Sequence, residues 1–170
     1  MRSHMTKLPV YGVTPTLSVG PFPSPARVPL LQAAGVTDIL NVSDARSYPE
    51  TLAAGFRSVV FIPIADCVPI DPETVIEFLA VLDEMFQCPG SRVFVHCLAG
   101  QNRSPTVIWL YLRSLGVNAD VAREMIESVS RDAIGGHPLL LSPETLAAMF
   151  AYREARSDLM TRSLRARVLS

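Results

Sequence analysis

The chain has 170 residues, 49% of them apolar and 18% charged, and its 15 Lys+Arg against 16 Asp+Glu leave a formal net charge of -1. That length fits one domain, and the composition excludes a disordered chain and a protein that grips nucleic acid through a broad basic surface. Lys7 is the single lysine, so arginine supplies the other 14 cations.

Met1-Arg2-Ser3-His4 ahead of Met5 reads as an expression-vector remnant covering residues 1–5. The proline-rich opening, with Pro15, Pro21, Pro23, Pro25 and Pro29, predicts an extended entry. Residues 28–34 read as a short helix stopped by Gly35, and 38–42 as a buried strand. Residues 59–64 form another strand, with Pro63 pointing to an edge or an end. Asp71-Pro72-Glu73 opens a helix with a capping residue and a proline at its first position. Val75, Phe78, Leu79, Leu82, Met85 and Phe86 then fall on one helical face. Pro89-Gly90 turns the chain into a strand at 92–96.

Ser104-Pro105 predicts the start of a helix over 106–115 that Gly116 stops. Asn118 caps a further helix to about residue 130, carrying Val121, Met125 and Val129 on one side. Ser142-Pro143-Glu144 caps the last helix, with Leu146, Met149 and Phe150 inward. Trp109 and Tyr111 read as core, and Arg153, Arg156, Arg162, Arg165 and Arg167 as a solvated helix face. Strands alternating with helices, then consecutive helices, imply one α/β domain whose central, mostly parallel sheet is flanked by helices on both faces.

Cys67, Cys88 and Cys97 are odd in number and form no C-x-x-C pair, which favours a reduced, cytoplasmic setting over a disulfide framework or zinc ribbon. His4, His96 and His137 lie apart from one another and suggest no metal site. No apolar run approaches the ~20 residues of a membrane span, so neither a membrane nor a nucleic acid is an expected partner.

The chemistry concentrates in residues 95–106. A strand delivers Cys97 to a short loop that runs into a helix N-terminus, where backbone N–H groups are unpaired and the helix dipole favours negative charge. Residues 98–103 contain no proline, so their six amides can turn inward as donors to an oxyanion. Gly100 permits the curl, Arg103 closes it with a planar fork suited to two phosphate oxygens, and the same field favours the thiolate of Cys97.

His96-Cys97-x5-Arg103-Ser104 resembles the HC-x5-R-S/T loop of the cysteine-based protein phosphatases. The surroundings are most similar to the small dual-specificity branch. Leu40-Asn41-Val42, Ile62-Pro63-Ile64-Ala65-Asp66 and Arg103-Ser104-Pro105-Thr106, followed by apolar residues 108–112, match its order and spacing over about residues 17–150. The resemblance implies a protein-tyrosine-phosphatase-like domain over 6–156, with 157–170 an Arg-bearing tail or the end of the last helix. It also implies a phosphomonoester hydrolase, tyrosine or dual-specificity, that needs no cofactor.

On that resemblance Cys97 attacks phosphorus and carries a phosphocysteine intermediate. The loop Leu98, Ala99, Gly100, Gln101, Asn102 and Arg103 holds the phosphoryl oxygens, and Ser104 eases the departure of sulfur. Asp66, 31 residues before the nucleophile, is the general acid, with Asp71 and Asp44 as rivals. His96 and Asn41 support the loop. The expected partner is a phosphorylated protein or a small phosphomonoester. The alternatives are a phosphoinositide, nucleotide or RNA end, a non-catalytic phosphate-binding module, or a sulfur-transfer or arsenate-reducing enzyme. Leu98, Ala99, Gln101 and Asn102 are neutral, which favours a singly phosphorylated group. Of the remaining features, Cys67 is a small buried residue or a redox partner for Cys97, Cys88 is structural, and Gly135-Gly136-His137-Pro138 is a connecting loop or part of the substrate rim.

Overall fold

The structure, a computed structural model, describes residues 10–170, so the remnant read at 1–5, together with His4 and Lys7, lies outside the described residues. Five strands form one sheet: β1 (Tyr11–Gly12), β2 (Leu17–Gly20), β3 (Asp38–Asn41), β4 (Ser58–Phe61) and β5 (Val93–His96), in the order β1-β2-β5-β3-β4. Only β1 runs antiparallel; β2, β5, β3 and β4 pair in parallel. The expected α/β architecture with a mostly parallel sheet is the one observed.

Side-chain alternation along the strands divides the core into two layers. Ile39 and Phe94 pack with Leu31 and Val36, under the short helix α1 (Val28–Ala33). Leu17, Val19, Leu40, Val93 and Val95 face the larger layer, where the apolar stripe of α3 (Pro72–Gln87) meets α4 (Arg103–Ser114). Helix α4 is buried almost throughout, as its unbroken apolar run from Val107 to Leu112 requires. A one-turn helix α2 (Pro49–Leu52), then α5 (Ala119–Glu127), α6 (Pro143–Ala155) and α7 (Asp158–Leu169) complete the chain.

Several elements differ from the sequence expectation for identifiable reasons. Strand β4 stops at Phe61 because Pro63 has no N–H for the ladder, and it is an edge strand. Helix α4 begins three residues before the expected 106, at Arg103, with Asn102 in the capping position. Pro105 therefore sits inside the first turn, where a missing N–H costs nothing, and Ser104 is helical rather than a cap. Asp71 occupies the capping position of α3 but makes no side-chain cap bond, whereas Asn118 and Ser142 make theirs. Helix α5 buries Ala122 and Ile126 while Val121 and Val129 are exposed, and Phe150 of α6 is exposed as well. Trp109 and Tyr111 lie in the core as expected.

The expected solvated arginine face holds for Arg153, Arg162, Arg165 and Arg167, which are exposed, and is corrected at Arg156. Arg156 is buried: its Nε and Nη2 donate to the two carboxylate oxygens of Asp83, each at 2.9 Å, and its Nη1 donates to the Ser114 carbonyl at 3.0 Å. Arg165 reaches the Leu115 carbonyl (3.2 Å), Arg113 that of Val117 (3.0 Å) and Arg167 that of Phe86 (3.0 Å). The Phe86, Ser114 and Leu115 carbonyls end α3 and α4, where helix geometry leaves them unpaired, and Val117 follows α4 by a short turn, so the guanidinium forks stitch the helix C-termini together. Leu164 and Val168 bury the inner side of α7, and the Thr16 hydroxyl donates to the Val168 carbonyl at 2.8 Å.

Replacing Arg156 by Ala leaves the Asp83 carboxylate buried without a cation, with only the Tyr152 hydroxyl donating to it, and the expected loss is about 3–5 kcal/mol in urea unfolding. Arg156→Lys is expected to recover less than half of it, because a point charge cannot serve both Asp83 oxygens and the Ser114 carbonyl.

Candidate active site

The parallel register lines up the C-terminal ends of four strands. Gly20 and Asn41 each pair with His96, and Phe61 pairs with Asn41. The loops that follow these residues leave from the same edge of the sheet, where open α/β sheets hold their ligands. One carries Phe22, one Asp44, one Asp66, and the central one Cys97.

Cys97 is 2% exposed, and two groups reach its sulfur: the Gly100 N–H at 3.3 Å and the Ser104 hydroxyl at 3.2 Å. The loop curls tightly enough to need a left-handed residue, and Gly100 supplies it at φ +73°. A Cβ on Gly100 would lie 2.7 Å from the carbonyl carbon of Gly20, so the two strands' loops meet backbone to backbone. The outside of the curl is held by the Phe22 N–H on the Leu98 carbonyl (2.9 Å) and the Ile134 N–H on the Gln101 carbonyl (2.8 Å). The amides of Leu98, Ala99, Gln101 and Asn102 donate to no protein acceptor among the described residues. With the first turn of α4 behind them, they form a concentrated field of positive dipoles.

Arg103, 5% exposed, is held through one nitrogen. Its Nη1 donates to the Ile64 carbonyl at 3.0 Å and to Asp44 Oδ1 at 3.3 Å. Nε and Nη2 are committed to no partner among the described residues. Asp44 is held below the usual carboxylate range, first by a hydrogen bond from its own backbone amide and then by the Arg103 guanidinium. A carboxylate kept ionised in this way is a poor proton donor, which weakens its claim to be the acid.

His96 is wholly buried. Its Nδ1 donates to the Cys97 carbonyl at 3.0 Å, while Nε2 has no partner and the ring lies between Phe22 and Phe94, at 4.9 Å and 5.6 Å between centroids. Burial pushes its pKa down to about 4. The imidazole is therefore neutral near pH 7, and what it gives Cys97 is the orientation of its carbonyl.

Asp66 sits in an exposed turn, where its carboxylate accepts the Cys67 N–H at 3.0 Å and forms no hydrogen bond with Cys97 or Arg103. Its loop reaches the site through Ile64, two residues upstream. Cys67 is exposed at φ +59°, not buried as one reading had it, and Cys88 is exposed too. At the expected rim it is Ile134 that touches the loop, whereas Gly136 packs on Trp109. Sequence reasoning missed the pairing of Asp44 with Arg103 and the backing of the loop by Gly20 and Phe22. Both depend on strand order, which no local pattern reports.

A buried thiol at the C-terminal edge of a parallel sheet, ringed by loop amides and closed by a guanidinium, is the site of a protein-tyrosine-phosphatase-like domain. The family model described as "Swiss Army Knife protein, DSP-PTPase phosphatase domain" matches residues 17–158, and the chain belongs to that family. Among curated relatives, Xenopus laevis dual specificity protein phosphatase 1-B is 33% identical over 117 residues, 68% of this chain and 31% of that protein. Human protein tyrosine phosphatase type IVA 3 is 30% identical over 110 residues, 64% of either chain. The chain thus spans less than two thirds of both. Among solved structures, a mouse putative dual specificity phosphatase complexed with zinc tungstate superposes with TM-score 0.69 at 23% identity, over 91% of this chain and 92% of that one. Human DUSP28 gives TM-score 0.62 at 25% identity, over 86% and 94%.

The neutral His96 makes the fold sensitive to acid. Its pKa is 6.5 when unperturbed and about 4 in the folded protein, so below pH 6.5 the unfolded chain takes up a proton that the folded one refuses. Stability is expected to be complete above pH 6.5 and to fall by up to about 3 kcal/mol on the way to pH 4. In His96→Asn, whose amide can replace the Nδ1 bond, this component disappears. Denaturant titrations of both proteins between pH 7 and 4.5 check it.

Proposed function

We propose that the protein hydrolyses phosphomonoesters, phosphotyrosine and phosphoserine/phosphothreonine side chains of proteins in particular, through a phosphocysteine intermediate. The observation that carries this reading is the convergence of the Gly100 amide and the Ser104 hydroxyl on one buried sulfur, with Arg103 closing the same loop. Family membership over residues 17–158 supports it.

In the first step the Cys97 thiolate attacks phosphorus in line, an S–P bond forms and the ester P–O bond breaks. The departing alkoxide or phenoxide takes its proton from Asp66, which must leave the Cys67 amide that it accepts from here and turn toward the cradle to do so. The loop amides and the Nε–Nη2 edge of Arg103 hold the three equatorial oxygens as charge redistributes. In the second step water attacks phosphorus and returns a proton to Asp66. The S–P bond breaks, and the Ser104 hydroxyl, already 3.2 Å away, stabilises the thiolate. The neutral side chains at 98, 99, 101 and 102 offer no extra cation for a second phosphate inside the loop, which favours a singly phosphorylated group.

Aryl phosphate hydrolysis is expected in the presence of chelator, and Cys97→Ser is expected to lower kcat by at least about 1,000-fold while still binding orthovanadate. Undiminished turnover in that variant overturns the reading. Asp66→Ala is expected to cost about 100-fold on substrates with poor leaving groups and far less on a nitrophenyl ester. An equal pattern from Asp71→Ala would move the role there. On a panel of phosphopeptides, phosphoinositides and nucleotides, the highest kcat/KM is expected for a phosphopeptide.

A further inference from the structure

The turn after β3 is tied more tightly than a surface loop needs. Asn41, wholly buried, uses both ends of its side-chain amide: Oδ1 accepts from the Ser43 N–H (3.0 Å) and hydroxyl (2.7 Å), and Nδ2 donates to the Ala45 carbonyl (2.9 Å) and to Ser47 Oγ (3.3 Å). Ser43, also buried, accepts the Ala45 N–H at 3.1 Å. The residue enclosed by these bonds is Asp44, and its side chain takes no part in them. It is 72% exposed, and its Oδ1 meets Arg103.

An ion pair whose carboxylate is this exposed adds little stability, so the rigid turn is not explained by what the pair contributes to folding. It is explained by geometry. A guanidinium is flat, and a single acceptor leaves it free to roll about that contact. Arg103 Nη1 has two acceptors from two different loops, Ile64 O and Asp44 Oδ1, and together they fix the plane. With Nη1 occupied, the edge left to take two phosphate oxygens side by side is Nε and Nη2.

We propose that Asp44, presented by the Asn41–Ser43 turn, is a positioning residue for Arg103 and sets how tightly the site holds a phosphoryl group. This rests on the phosphohydrolase reading above. Asn41 adjoins the nucleophile through the sheet, since its Cα pairs with that of His96 and the Val42 N–H donates to the His96 carbonyl at 2.9 Å. Asn41 therefore refers Cys97, through its backbone pairing, and Asp44, through its side chain, to the same strand end.

The test uses the full chain with Asp44→Ala, Asp44→Glu, Ser43→Ala and the Ser43→Ala/Asp44→Ala double variant. Asp44→Ala is expected to lower kcat/KM and orthovanadate affinity in parallel, each by about tenfold or more, with little change in melting temperature because the side chain is exposed. The loss is expected to be the same for good and poor leaving groups and to leave the shape of the pH–kcat profile intact, with partial recovery in Asp44→Glu. Ser43→Ala is expected to lose less in the same direction, and the double variant no more than Asp44→Ala, because the turn acts through that carboxylate. Vanadate affinity and kcat/KM within twofold of the parent in Asp44→Ala overturn the proposal. So does a loss confined to poor leaving groups, which would make Asp44 the acid. Fully additive losses in the double variant overturn the role given to the turn. A parent protein that neither hydrolyses an aryl phosphate nor binds vanadate brings down the phosphohydrolase reading itself, a result that none of the variant comparisons mimics.

Discussion

The site depends on a place where two backbones touch. Gly100 lies against Gly20 so closely that a Cβ would come within 2.7 Å of a carbonyl carbon, and it does so in the left-handed region. Neither condition tolerates a side chain, and both follow from β2 pairing with β5 in the register that sets Gly20 beside His96. Once the curl rests on Gly20, the Gly100 amide points at the sulfur, Leu98 meets Phe22, and α4 starts with Arg103 and Ser104 in its first turn. The same register sets Asn41 on the other side of His96, which brings in the turn bearing Asp44. A slip of one residue in either pairing would turn every one of these side chains to the opposite face.

Charge is used locally in this chain. With a formal net charge of -1 the overall field is not positive, and the local positive field comes instead from amides, a helix N-terminus and one guanidinium at a buried point. His96 adds none, because burial among Phe22, Phe94 and the sheet keeps it neutral. Five other arginines serve the fold. Arg113, Arg156, Arg165 and Arg167 donate to carbonyls around the ends of α3 and α4, and Arg57 bridges the buried Asp38 and Ser91. A planar fork reaches two acceptors at once, a task lysine performs poorly, and this gives the arginine bias a structural reason.

What could be read beforehand and what could not separate along a physical line. Most elements were legible because hydrophobic periodicity, prolines and glycines act over a few residues: the stripe of α3, the stop at Gly35 and the caps at Asn118 and Ser142 all appear where the pattern put them. The start of α4 was misplaced because Ser104-Pro105 also fits inside a first turn, and the choice between the two was made by the loop's contact with Gly20. Which side of α5 is buried, at Ala122 and Ile126, is set by its neighbours as much as by its own apolar residues. Arg156 was read as solvated because nothing near it in sequence reveals Asp83, 73 residues away on another helix.

The amino-acid sequence by itself determined the kind of domain and the centre of its chemistry, because a thiol, a proline-free loop, a glycine and an arginine within seven residues constrain one another over a single turn of chain. Tertiary structure alone decided what surrounds that centre: the neutrality of His96, the partner of Arg103 and the acceptors that hold the tail arginines. Each of those is a contact between residues tens of positions apart, and it exists only once the strand order β1-β2-β5-β3-β4 has brought their loops to one edge or the helices have packed beneath it.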